Sequence, residues 1–423
     1  MAHLLAQGTS REAHATSEEL LRLPYSRSSF ERVGHEVGKE YIQRRRQIEP
    51  QLIRAFEIPV DVRSISVSVD RVAVPMEEPL DKPKGDKPPK NLREFRDAAR
   101  RHLNPRVSER TQTVIEEAVR AAEASKKRKV NRNYRMAYCG TVTLHDAKGR
   151  ALHTIPYGRM PPVPGSIAHL THRDAHSLMQ RLKEDVYVLR ERRPELPVVL
   201  LADGAPELWN LFSQHLNGRT LGVEPMQLVD VWHVLEYVAA AARLLEARGK
   251  CAPGMFRRWK AMLLEGADGK GARDVLQALE ATDARKVRDA EDRQPVNDAI
   301  RYLENRSARM DYAGARARGL AIDSGAVEAT CKSLVAIRMK RAGSRWKTES
   351  GNEVLALRAL QLSDWWQEAI SGVLKPLVKS VRVTRCARTS ACRLSSSRAP
   401  PGRALKRLGA DPAGSRSQSP PKP

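Results

Sequence analysis

An α/β protein is expected from three observations: short apolar runs of strand character, helical periodicity between them, and a long, almost purely helical stretch after them. The first strand signal is residues 64–75, where Ile65, Val67 and Val69 alternate with Ser64, Ser66, Ser68 and Asp70, before Val72 and Val74. Two further strands, 135–144 and 150–157, flank Asp146-Ala147-Lys148-Gly149, and a glycine where positive φ is needed marks a hairpin. Residues 196–201 are a continuous apolar run ending at Ala202-Asp203-Gly204, the pattern of a buried strand whose last residue meets solvent. A fifth strand, 225–231, ends in Asp230-Val231-Trp232-His233.

Helices frame these strands. Up to about residue 59, Phe30, Val33, Val37, Tyr41 and Ile42 recur at helical spacing, and Ser28 with Glu31 fits a capping box. Residues 168–193 carry Leu170, Leu178, Leu182, Val186 and Leu189 on helical spacing, stopped by Pro194. Residues 234–320 read as helix almost throughout. A turn at 322–325 precedes a helix over 326–337 with Glu328 in its first turn, and a final helix spans 352–374. The Pro- and Lys-rich stretch 77–90 reads as a loop and 92–132 as a charged helical insertion. The expected organisation is a helical N-terminal section (1–59), a sheet domain (60–233, interrupted at 81–133), a helical insertion (234–320), closing helices (321–380) and a disordered basic tail (381–423).

Composition narrows the function classes. The chain has 423 residues, and 74 Lys and Arg against 50 Asp and Glu leave a net charge of +24, the footprint expected of a polyanion-binding protein. The tail holds ten Lys or Arg against Asp411 alone and has no Phe, Tyr or Trp, so it cannot bury a core, yet the rest of the chain stays basic without it. No apolar run approaches the ~18 residues of a membrane span. Arg11, Glu12, Glu18 and Glu19 interrupt any secretory signal. Five cysteines without a CxxC pair argue against a disulfide framework or a cysteine zinc site. A soluble, cytoplasmic, DNA-associated protein is the expectation.

Three carboxylates stand out by position: Asp70 within one strand, Asp203 at the end of another and Glu328 at the start of a late helix. Hard oxygen donors brought together in this way suit Mg²⁺ or Mn²⁺, and two such ions serve in-line phosphoryl displacement. Taken singly, each is an ordinary residue for its place, since the helix macrodipole favours Glu in a first turn. As a set they are not ordinary, because Asp70 sits among strand formers, a costly position for a charge unless a cation is supplied there. Lys332, Arg338, Lys340, Arg341, Arg345 and Lys347 form a basic stretch beyond Glu328, suited to phosphates. Trp346 within it reads as core rather than as a base-stacking residue. His169, His172 and His176 lack an acidic or cysteine partner set and read as a solvated helix face rather than a metal site.

The segments SVSVDRVAVPMEEP, LLADGAPELW, LVDVWHVLEY and DSGAVEATCKSLVAIRMKRAGSRW resemble the DDE transposases of bacterial insertion sequences, most closely the ISKra group. The resemblance spans about residues 65–374, with the four blocks in the family's order. It implies a ribonuclease H-like mixed sheet flanked by helices, with Asp70 on the first strand, Asp203 after the fourth and Glu328 on the closing helix after a mainly helical insertion. It also implies that these three acids bind two Mg²⁺ or Mn²⁺ ions. Water then cleaves double-stranded DNA at transposon ends and the freed 3′-hydroxyl attacks target DNA, within a homo-oligomer assembled on DNA. Asp230 and His233 resemble an auxiliary element of several transposase groups; the alternative is that Asp230 caps a helix and His233 packs beneath it. The sequence departs from the family in three places: Asp323 where Gly is usual, a short N-terminal section, and the tail. Two alternatives remain open, a nuclease with the same site and a DNA-binding remnant without catalysis.

Overall fold

The computed structural model describes residues 1–21, 26–77, 133–164, 166–266, 270–282 and 290–380. The expected loop at 77–90, apart from Glu77, the charged helix at 92–132 and the tail at 381–423 lie outside the described residues. Apart from the last two residues of the final helix, the elements below belong to one unit, Met1–Val378.

Five strands form a mixed sheet in the order β3-β2-β1-β4-β5. They are β1 (Ser64–Met76), β2 (Asn133–His145), β3 (Ala151–Arg159), β4 (Val198–Ala202) and β5 (Met226–Val229). β2 is antiparallel to β1 and β3, whereas β4 is parallel to both β1 and β5. The hairpin expected at Asp146–Gly149 is present: Gly149 sits at φ +73°, and Asp146 Oδ1 accepts both Lys148 N and Arg150 N at 2.9 Å.

Both sheet faces are covered. Ile65, Val67 and Val69 join the core under helix α4 (Arg173–Arg192), and Gly140 lets Leu178 and Leu182 of α4 close on the strands. The opposite face carries Val72, Val74, Cys139 and Asp70, packed against the closing helix. The serines of β1 therefore face protein rather than water. Ser66 and Ser68 are each 1% exposed, so their alternation with valine records two buried faces of different polarity.

Three helices, α1 (Ala2–Gln7), α2 (Ser10–Leu21) and α3 (Arg27–Ala55), make up the N-terminal section. Ser26, in extended backbone, caps α3 by accepting Ser29 N at 3.3 Å, so Ser28 and Glu31 lie inside the helix and the expected capping box is displaced. A Cβ at Gly38 would stand 2.8 Å from Glu353 Cβ, so glycine there permits the close approach of α3 to a later helix. Helices α5 (Pro206–His215), α6 (Val231–Ala247), α7 (Met255–Glu265), α8 (Lys270–Ala281), α9 (Ala290–Arg306) and α10 (Tyr312–Ala317) include the largely helical stretch between β5 and the closing helix. That closing helix is α11 (Gly325–Thr330), which continues as a π-helical turn (Cys331–Ala336) and a last α turn to Met339. The final helix is divided into α12 (Thr348–Leu362) and α13 (Trp366–Ser380). No glycine or proline marks this break; Asp364 takes the left-handed conformation at φ +57°, which Asp tolerates better than most residues. The three histidines are divided too: His172, at φ +47°, precedes α4, and His176 pairs with His215 at 2.8 Å. No helix among the described residues is long and apolar enough to cross a membrane.

A buried polar network underlies the α4 face. Arg181 contacts Asp185 through Nη2 and through Nε at 3.2 Å, and reaches Glu49 at 3.4 Å. Tyr157 donates its hydroxyl to Asp185, which is fully buried.

His145 is buried at the foot of β2, with Nε2 2.7 Å from Ser66 Oγ and Nδ1 3.0 Å from the Gly149 carbonyl. The neutral ring with Nδ1 as donor satisfies both contacts. Burial holds its pKa below the ordinary histidine value, while the Gly149 bond opposes that shift. A depressed folded-state pKa gives stability that is present above the unfolded value of about 6.5 and lost as pH falls through the folded one. The thermal stability of the wild type is therefore expected to fall below about pH 6.5, and His145→Gln to flatten that slope. Identical slopes for the two proteins would exclude His145 as a source.

Candidate active site

The strand registers place three aspartates at one level. Ser68 pairs with Leu201 and Ala202 with Val229, so continuing each parallel register by one or two residues sets Asp70 beside Asp203, and Asp203 beside Asp230. Strands β1, β4 and β5 share one direction, so the three residues fall at the carboxyl end of the parallel part of the sheet. In open α/β sheets this rim is the usual place for ligands.

Each acid is held differently. Asp70 is half-buried; its Oδ1 accepts Arg71 N at 2.6 Å, and Cys331 Sγ approaches Oδ2 at 3.5 Å from the closing helix. Asp203 Oδ1 accepts Ala205 N at 3.0 Å in a local turn, and its carbonyl accepts Trp209 Nε1 at 3.0 Å. The next carbonyl, of Gly204, accepts Arg306 Nε at 2.9 Å and Nη2 at 2.7 Å. A Cβ at Gly204 would lie 2.1 Å from Arg306 Nε, so only glycine admits this clamp. Arg306 also lies 4.3 Å over the Tyr302 ring, which stacks on Tyr237 at 4.2 Å. The end of the helical insertion therefore fixes the loop carrying Asp203. Nothing in the sequence pointed to Arg306, an arginine in a charged helix.

Asp230 is completely buried and is committed to backbone donors. Its Oδ1 accepts Trp232 N at 2.6 Å and His233 N at 3.2 Å, capping α6, while Oδ2 accepts Ser324 N just ahead of α11. The capping alternative thus describes Asp230, which in addition ties the end of β5 to the start of the Glu328 helix. His233 does not pack beneath it; its side chain is 39% exposed and lies 3.6 Å from Glu236. Asp323 accepts Gly325 N at 3.0 Å and so supports the turn.

Glu328 is half-buried near this rim. Burial raises its pKa, the Asp230 and Asp70 charges raise it further, and His233 and Lys332 partly offset them. Around it, the π turn brings Val327, Cys331, Val335 and Met339 onto the sheet at four-residue intervals, a wider phase than the 3.6 of an α-helix. Hard oxygen donors under mutual repulsion are chemically suited to a divalent cation. Among the described residues, however, no group of three or more His, Cys, Asp or Glu stands ready to hold a metal ion.

The basic stretch separates into two kinds of residue. Lys332, Lys340, Arg345 and Lys347 are exposed. Arg338, expected at the DNA surface, is instead 4% exposed, donates Nε to the Leu5 carbonyl at 3.2 Å and lies 4.7 Å over the Trp346 ring. Burial brings its pKa down to about 10. Arg341 pairs with Glu12 of α2 at 2.5 Å. These two arginines join the closing helix to the N-terminal helices, which a charge count cannot reveal. Trp346 is core, as expected, and its backbone bonds to Pro75 of β1 and to Glu77 just beyond that strand. Compared with protein-family models and with curated proteins, the chain matches none.

Proposed function

We propose that this chain is a DDE-type DNA transposase, with Asp70, Asp203 and Glu328 as its catalytic carboxylates. The reading is supported by the β1–β4 register, whose last pair is Ser68–Leu201 and which, extended by two residues, brings Asp70 level with Asp203, and by the closing helix, which contacts Asp70 through Cys331. The strand order, with an antiparallel β2 and a helical insertion before the closing helix, supports a ribonuclease H-like catalytic domain.

In this reading Asp70, Asp203 and Glu328 hold Mg²⁺ or Mn²⁺, whose chemistry when bound is to activate the attacking oxygen and stabilise the leaving one. Lys332, Lys340, Arg345 and Lys347 neutralise DNA phosphates, which makes binding salt-sensitive. Asp230 and the Arg306 clamp act through position, fixing the starts of α6 and α11 and the Asp203 loop. The substrates are double-stranded transposon ends and target DNA, the working form is a homo-oligomer on DNA, and the place of action is the bacterial nucleoid.

The test is incubation of the purified protein with labelled DNA bearing the ends of its own element, with Mg²⁺ or Mn²⁺. Cutting at the element boundary followed by joining to a second duplex is the expected result. Cutting without joining would make the protein a nuclease. Metal-independent binding with no cut would make it a DNA-binding remnant.

A further inference from the structure

Trp232 is 53% exposed, whereas Trp209, Trp259, Trp346 and Trp365 are each at most 9% exposed. It lies in the first turn of α6, and its backbone N–H donates to Asp230 Oδ1 at 2.6 Å, so its main chain is held two residues from Asp230. Lys260 of α7 places its ammonium 5.4 Å from the ring centroid, and Arg257, three residues earlier on α7, is exposed. A large exposed aromatic costs solvation free energy. Set at a capped helix start beside the Lys260 cation, it has the composition of a base-stacking platform for single-stranded nucleic acid.

We propose that Trp232, flanked by Lys260, stacks an unpaired base of the DNA next to the acidic rim. This rests on the nucleic-acid reading above and deepens it: the preferred substrate carries a locally unpaired nucleotide rather than a perfect duplex. A fully paired base presents no free face to a side chain, whereas an extrahelical one does.

The test uses fluorescein-labelled duplexes of one sequence, fully paired or with a single bulged nucleotide, titrated with the full chain in EDTA and read by anisotropy. The wild type is expected to prefer the bulged duplex. Trp232→Ala should weaken that binding about 5- to 150-fold with little effect on the paired duplex, and Trp232→Phe should retain most of it. Equal affinity of wild type and Trp232→Ala for the bulged duplex, with DNA binding intact, overturns the stacking role alone. Failure of the wild type to bind either duplex overturns the nucleic-acid reading beneath it. A Trp232→Ala protein that binds normally but no longer self-associates in sedimentation would identify the ring as a protein contact and also overturn the proposal.

Discussion

Asp203→Asn is expected to reduce metal-dependent DNA cleavage at least about a hundredfold, the order lost when one preorganised electrostatic stabiliser is removed from a transition state. Asp70→Asn and Glu328→Gln should do the same. DNA affinity measured in EDTA should change little in all three, because in the proposed reading the exposed lysines and Arg345 neutralise phosphate independently of the rim. Asn at 203 still offers an oxygen to Ala205 N, so the local turn survives and the loss is chemical rather than structural. Cleavage at the wild-type rate in any one variant would remove that residue from the site. Uniform loss of DNA binding would point instead to misfolding.

The second large effect concerns stability. Arg181→Met leaves Asp185, which has no exposed surface, without its cation, and breaking a buried pair from one side costs about 3–5 kcal/mol. Burial pushes the Asp185 carboxyl up to about 7, and Arg181 pulls against that shift. Removing Arg181 releases the opposing pull, so Asp185 takes up a proton more readily. A raised folded-state pKa favours the fold at low pH and is lost as pH rises through it, so the destabilisation should be smaller at pH 5 than at pH 8. Adding Asp185→Leu to Arg181→Met should recover much of the loss, since an uncharged pair needs no counter-ion. Urea midpoints at the two pH values measure all of this. A pH-independent cost below about 1 kcal/mol for the single variant would show that the pair is not desolvated.

The strands were legible because their signals are local. Alternation at 64–75, the apolar run before Asp203 and the glycine at 149 each depend on residues within a few positions of one another. The acids at the rim were legible for a different reason: they end or interrupt apolar runs, where an unpaired charge stands out. Properties set by distant partners were not legible. Arg338 and Lys340 look alike in sequence, yet the Leu5 carbonyl and the Trp346 ring bury one and leave the other in solvent. The Arg306 clamp on Gly204 and the Asp230 bond to Ser324 join residues about a hundred positions apart, which no spacing rule addresses. The break at Asp364 lacked a glycine or proline to announce it, because Asp can supply the left-handed turn itself.

The contact between Asp70 and Cys331 spans 261 residues of chain. Ribosomes extend chains at about 5–20 residues per second, so Asp70 waits roughly 13–52 s for its partner to be made. Throughout that interval the emerging polypeptide can hold a hairpin and even a basic surface, but not a completed acidic rim. Any product of early termination before the closing helix would lack Glu328 altogether while keeping β1 and β2. Timing is thus written into the topology: whatever the rim does chemically is withheld until nearly the whole described chain exists.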